Sequence, residues 1–162
     1  MAFKLEVKGL NELIQQMGKV PENAAKVASL ALYDGAGVMA DTLSNAVNSI
    51  ATEPFKYAGG GKKRKPSPEE KQIIVNARRG IAKFRKTGDG VNTSVGFQNS
   101  GYAELNGETK PVPLIANSIN SGTSFMQKQP FIRKAFSQGK GPATAAIEAS
   151  IKAHEDELGI EN

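Results

Sequence analysis

The chain has 162 residues, 39% of them hydrophobic and 23% charged, with a formal net charge of +5, the size and make-up of one ordinary domain, 1–162. It contains no cysteine and one histidine, His154, which excludes disulfides, thiolate nucleophiles and iron–sulfur clusters and leaves too few imidazoles for a transition-metal centre. The opening Met1-Ala2-Phe3-Lys4-Leu5-Glu6 mixes charge with apolar residues, and no apolar run reaches about 18 residues, so neither a secretion signal nor a membrane span is expected.

Phe3-Lys4-Leu5-Glu6-Val7 alternates with the period of a half-buried strand. Leu10, Leu13, Ile14 and Met17 follow at helical spacing and Gly18 closes a short helix. Pro21 sits where the first turn of a helix tolerates proline. Beyond it Ala24, Val27, Ala28, Ala31, Gly35, Val38, Met39, Thr42, Ala46, Val47 and Ile50 recur at steps of three and four, the stripe of one long helix. Glycine inside a helix costs about 1 kcal/mol relative to alanine. Gly35 and Gly37 therefore predict a helix laid across a sheet, with the glycines at the tightest crossing.

Residues 52–90 read as a flexible basic insertion. Pro54, Gly59-Gly60-Gly61 and Lys62-Lys63-Arg64-Lys65-Pro66 predict a loop, free in the isolated protein. Ser67, Pro68, Glu69 and Glu70 restart a helix with a cap, a first-turn proline and acids at the positive dipole end. Ile73, Ala77, Ile81 and Phe84 form its apolar face. From Lys62 to Lys86 ten basic residues stand against Glu69 and Glu70, so this stretch carries +8 and the rest of the chain −3. Lys62, Lys63, Arg64, Lys65, Arg78, Arg79, Lys83, Arg85 and Lys86 are thus the candidate contacts for a polyanion or an acidic partner.

Val91, Thr93, Val95 and Phe97 alternate with polar residues and glycine as a strand. Asn106-Gly107 predicts a type I′ hairpin between Tyr102–Leu105 and Glu108–Val112, with Pro111 confining the second arm to an edge. Leu114–Ile119 reads as another short strand, closed by Ser121-Gly122-Thr123. Pro130 opens a short helix through Phe136. Pro142 opens the last one, with Ala143, Ile147, Ile151, His154 and Leu158 on one face and Gly159 as its cap.

Catalytic motifs fail on their residues. A phosphate loop at Gly61-Lys62 would need glycine at Lys56 and a hydroxyl at Lys63. Gly88-Asp89-Gly90 meets Thr93 where a dinucleotide fingerprint wants its third glycine. His154 lies on an apolar helix face, and Glu155-Asp156-Glu157 diverge around the helix. No enzyme activity and no cofactor are expected.

The segment Gly122-Thr123-Ser124-Phe125-Met126-Gln127-Lys128-Gln129-Pro130-Phe131-Ile132-Arg133-Lys134-Ala135-Phe136 reads physically as a joint, its loop ending on an extended residue before a helix-opening proline. Its order of Gly-Thr, Met, Pro-Phe, a basic residue and Ala resembles the C-terminal signature of the tail-completion (neck, head–tail joining) family of long non-contractile-tailed phages. The opening Phe3–Leu13, the alanine-rich helix and the Val91–Phe97 strand are similar to that family in kind and order. Residues 52–90 depart from it, with Thr87-Gly88 standing where the family carries a Thr-Gly pair, and Ser121 replaces an often acidic residue.

The resemblance implies an α+β fold: a twisted antiparallel sheet with one long helix packed across it, a C-terminal helix beside it, and here an inserted basic loop-helix. It implies a structural virion protein, assembled in the host cytoplasm, that completes the tail and helps join it to the DNA-filled head. Its expected partners are copies of itself in a ring, a hexamer in the particle, and the head-connector, tail-terminator and tail-tube proteins, with non-specific contact to genomic DNA. Gly122, Thr123, Met126, Pro130, Phe131 and Ala135 are the signature residues of the assembly joint. The competing reading is a small non-enzymatic nucleic-acid-binding protein acting through 62–86.

Overall fold

A computed structural model describes residues 2–7, 21–54, 61–77, 79–81, 83–87, 90–97 and 101–154. The short helix expected over Leu10–Met17, the glycines at 59 and 60, Arg78, and the end of the last helix at Leu158 and Gly159 lie outside the described residues. The fold is α+β. In chain order it runs β1 (Ala2–Val7), α1 (Pro21–Asn48), α2 (Pro68–Asn76), β2 (Arg79–Ile81), β3 (Arg85–Thr87), β4 (Gly90–Phe97), β5 (Tyr102–Leu105), β6 (Glu108–Pro111), α3 (Val112–Ser121) and α4 (Phe131–Ala153). One sheet has the order β1-β4-β2, with β3 also pairing β4, and the other is the β5–β6 hairpin. By its contacts the chain divides into two compact units. One is built from Asp41–Gly80 and Gly96–Ser137, the other from Ala2–Ala40, Ile81–Val95 and Gln138–Asn162.

In the unit that holds the start of the chain, Ala24, Val27, Ala28 and Leu32 of α1 bury against Val91 of β4, with Leu5 of β1 and Ile147 and Ile151 of α4 packed on the cluster. The helix does lie on the strands, as its stripe predicts. The stripe is wider than its sequence reading, because Leu32, Ala36 and Leu43 are also fully buried. The two glycines differ. A Cβ on Gly35 would stand 2.6 Å from Ile147 Cγ1 and 3.2 Å from the Ala143 carbonyl, so the tight crossing is helix on helix, against α4. At Gly37 a Cβ would meet nothing within 4 Å.

In the other unit α2 packs on α3 and β5, and α3 on β6. The hairpin turns through Asn106 at φ 53° and Gly107 at φ 76°, the two positive values that a type I′ turn requires. Tyr102 pairs with Pro111 and Leu105 with Glu108.

Three expectations are corrected. The helix read from Pro68 to Phe84 ends at Asn76, and Ala77 turns extended at ψ 133°. The rest forms β2 and β3, with Arg85 opposite Asn92 and Thr87 opposite Gly90. Ile81 and Phe84 stand at helical spacing by composition alone, and ladder bonds to β4 outweigh the weak helix preference around Gly80. Second, Leu114–Ile119 is helical, not a strand. Val112, Ile115, Ala116 and Ile119 are the buried residues, at steps of three and four, and Pro113 sits in the first turn; a short apolar run fits either period. Third, the two helices expected on either side of residues 139–142 are one. Pro142 lies inside α4, where it removes a hydrogen bond at a cost of about 3 kcal/mol, offset by burial of Ala135 and Ala143 on either side.

Candidate functional site

The signature residues form one joint within a single unit. Gly122 caps α3 at φ 76°, its amide donating to the Ser118 carbonyl at 2.9 Å. A Cβ here would come within 2.9 Å of the Lys128 amide nitrogen, so the position needs glycine for its dihedral and for its space. Thr123 closes the following turn on itself. Its Oγ1 accepts the Met126 amide at 3.0 Å, and its own amide donates to the Met126 carbonyl at 3.0 Å. That turn drives Met126 into the core, where it is buried.

Gln129 then anchors the approach to α4. Its amide donates to the Ile119 carbonyl at 2.8 Å and its side-chain amide to the Ala51 carbonyl at 3.1 Å. Pro130 precedes the first helical residue, Phe131, which is buried and meets Phe97 of β4 edge-on, ring centroids 6.2 Å apart at 75°. Ala135, one turn on, is fully buried. Phe131 is therefore buried against a strand, and of the two apolar residues on the turn before it Met126 is buried while Phe125 is exposed.

The basic arm enters this joint. Arg64 and Met126 form a parallel β-bridge, the Arg64 amide donating to the Phe125 carbonyl at 2.9 Å and the Gln127 amide to the Arg64 carbonyl at 2.8 Å. The Arg64 side chain, only 7% exposed, donates from both terminal nitrogens to the two carboxylate oxygens of Glu70, each at 2.7 Å. Glu70 in turn accepts the Ser67 amide at 2.7 Å, while Ser67 Oγ accepts the Glu70 amide at 3.1 Å. This is a reciprocal capping box at the start of α2. Burial would push the Glu70 carboxyl up, but the hydrogen bonds from Arg64 and Ser67 prevail and hold it below its ordinary value. The hydrogen bond to Glu70 raises Arg64 against the pull of burial. Glu53 adds a second tie, its carboxylate accepting the Lys65 amide at 2.5 Å and its own amide donating to the Pro66 carbonyl at 3.0 Å.

Over Gly61–Ser67, then, the expected free loop is a tied arm. Arg64 is not a surface contact for a polyanion: both of its terminal nitrogens are spent on a buried carboxylate, and the two charges cancel. Lys62 and Lys63 are exposed and Lys65 half-buried; Lys83 and Arg85 are exposed, and Arg79 and Lys86 fall on β2 and β3. The basic candidates among the described residues therefore do not lie on one loop-helix. Sequence reading named the cap at Ser67 and the acids after it but missed Glu70 as the partner of Arg64, because the pairing depends on the arm folding back. Glu53 was missed as well. Among the described residues no group of three or more His, Asp or Glu is placed to hold a metal ion, and no helix is long and apolar enough to cross a membrane. Compared with known proteins, the chain matches no family model, no curated protein and no solved structure.

Proposed function

We propose that this chain is a structural assembly protein of the phage neck, completing the tail and joining it to the head as a ring of copies. The observation that supports this reading is the joint itself. The residues that resemble the family's signature, Gly122, Thr123, Met126, Phe131 and Ala135, act together on one strand-like turn and one helix start: a required glycine, a self-closing turn and three buried side chains. Such a joint supplies rigidity, which a ring subunit under load from a packed head needs, and it leaves Phe136 exposed beside it, 45%, for contact with neighbours. The test is deletion of the gene from the phage genome that encodes it, with complementation in trans. Separated heads and tails, restored to joined particles by the parent chain, are expected. Normal joining in the deletion strain overturns the reading.

A further inference from the structure

The bridge between the basic arm and the signature turn has an inner and an outer side. Arg64 and Met126 are buried, whereas their neighbours Lys63 and Phe125 are exposed, as is Gln127, and Lys65 is half-buried. Extended backbone alternates its side chains, and the parallel register sets Lys63 beside Phe125 and Lys65 beside Gln127. Lys62 and Lys128 lie one step beyond these pairs and are exposed as well, with side chains long enough to reach either side of the bridge. The Phe125 ring is 54% exposed and has the Arg64 guanidinium over it, Cζ lying 5.7 Å from the ring centroid. One face of the ring is thus backed by a cation that Glu70 already neutralises. Of the nearby acids, Glu70 is consumed by Arg64 and Glu53 by the Lys65 amide, leaving Glu69 exposed on the first turn of α2.

We propose that this face binds single-stranded nucleic acid, with Lys62, Lys63 and Lys128 on successive phosphates and Phe125 stacked on an unpaired base. A groove of cations with an aromatic platform is the chemistry that takes a single strand without regard to sequence. An acidic protein surface would match the lysines but offers no planar partner to the ring, and a duplex keeps its bases stacked on one another. The inference needs only this surface and does not rest on the neck reading. It also sets an exposed aromatic beside Lys62 and Lys63, a neighbour that the sequence does not show because Phe125 lies some sixty residues away along the chain.

The experiment is fluorescence anisotropy of the full chain with a labelled oligothymidylate and with a mixed-sequence duplex of equal length, each titrated with salt. The single strand is expected to bind more tightly than the duplex. Phe125→Ala should weaken single-strand binding about tenfold, within the range for losing one base stack, and leave duplex binding unchanged. Lys62→Gln with Lys63→Gln should weaken both and flatten the single-strand salt slope by about 1.4. Both variants change exposed side chains, and an unaltered melting curve checks that they fold. Equal affinity for the two nucleic acids, indifference to Phe125→Ala, or displacement of the oligonucleotide by polyglutamate as readily as by unlabelled oligothymidylate would each overturn the proposal, the last assigning the face to an acidic protein.

Discussion

Replacing Arg64 by methionine tests the buried pair most directly. Both side chains are 7% exposed, and the guanidinium supplies two of the three hydrogen bonds that the Glu70 carboxylate accepts, leaving the Ser67 amide as the third. Removing one partner of such a pair strands the other charge in the interior and costs about 3–5 kcal/mol. The pH dependence follows from the sign of the Glu70 shift. In the parent its folded-state pKa is lowered, so its contribution to stability is complete above the ordinary carboxylate value of 4.5 and is lost as pH falls through the folded-state value. In Arg64→Met the lowering by Arg64 is gone and burial is opposed only by the Ser67 hydrogen bonds, so the Glu70 pKa rises relative to the parent and that variant gains relative stability as the carboxyl protonates. The gap between parent and variant should therefore be full near pH 7 and shrink toward about pH 4. Changing Glu70 to methionine as well should recover most of the loss, short of about 1 kcal/mol for the capping box. Urea denaturation of the four chains of this cycle, at both pH values, reads every term. Single-variant losses below about 1 kcal/mol, the value of a surface pair, or a gap that does not move with pH, would refute the reasoning.

Phe131→Ala, which empties a buried site against Phe97, should cost about 3–5 kcal/mol; an unchanged denaturation midpoint would place the ring outside the core. Gly37→Ala, with open space at its Cβ, should stabilise by up to about 1 kcal/mol, whereas Gly35→Ala should destabilise because the added carbon meets Ile147 and the Ala143 carbonyl. Thermal melts of the pair check the contrast, and equal shifts would deny the close crossing with α4. Gly122→Ala combines a positive φ with a contact to the Lys128 backbone and should cost more than the ~1 kcal/mol usual for an alanine forced into that dihedral, measured by the same urea titration.

Where the sequence was legible, one local period or turn dominated. The β1 and β4 alternation, the long stripe of α1, the Asn106-Gly107 turn and the Ser67-Pro68 start of α2 each depend on residues within a few positions of one another, and the structure has them where the pattern places them. The failures came where long-range contacts chose between near-equal local options. Residues 79–87 carry a helical spacing, yet β4 is available to pair them. Leu114–Ile119 is too short for its period to decide, and Pro142 marks a helix start by propensity although packing on either side carries α4 through it. The site shows the same division. Gly122, Thr123 and Pro130 announce a joint locally, but Arg64 meets Glu70 through the fold of the arm and Met126 across some sixty residues, which no composition or spacing records.

The discontinuous make-up of the two units has a consequence for synthesis. The unit containing the joint uses Asp41–Gly80 and Gly96–Ser137, all of which are synthesised before Gln138–Asn162. The other unit needs both Ala2–Ala40 and Gln138–Asn162, segments that synthesis at about 5–20 residues per second separates by several seconds. Every residue of the joint is therefore in the chain once Ala135 has been added, whereas Leu5, Val27 and Leu32 must wait for Ile147 and Ile151 to arrive. A chain ending at Ser137 would carry every residue of the joint together with an apolar cluster that lacks Ile147 and Ile151, the form most exposed to aggregation and proteolysis.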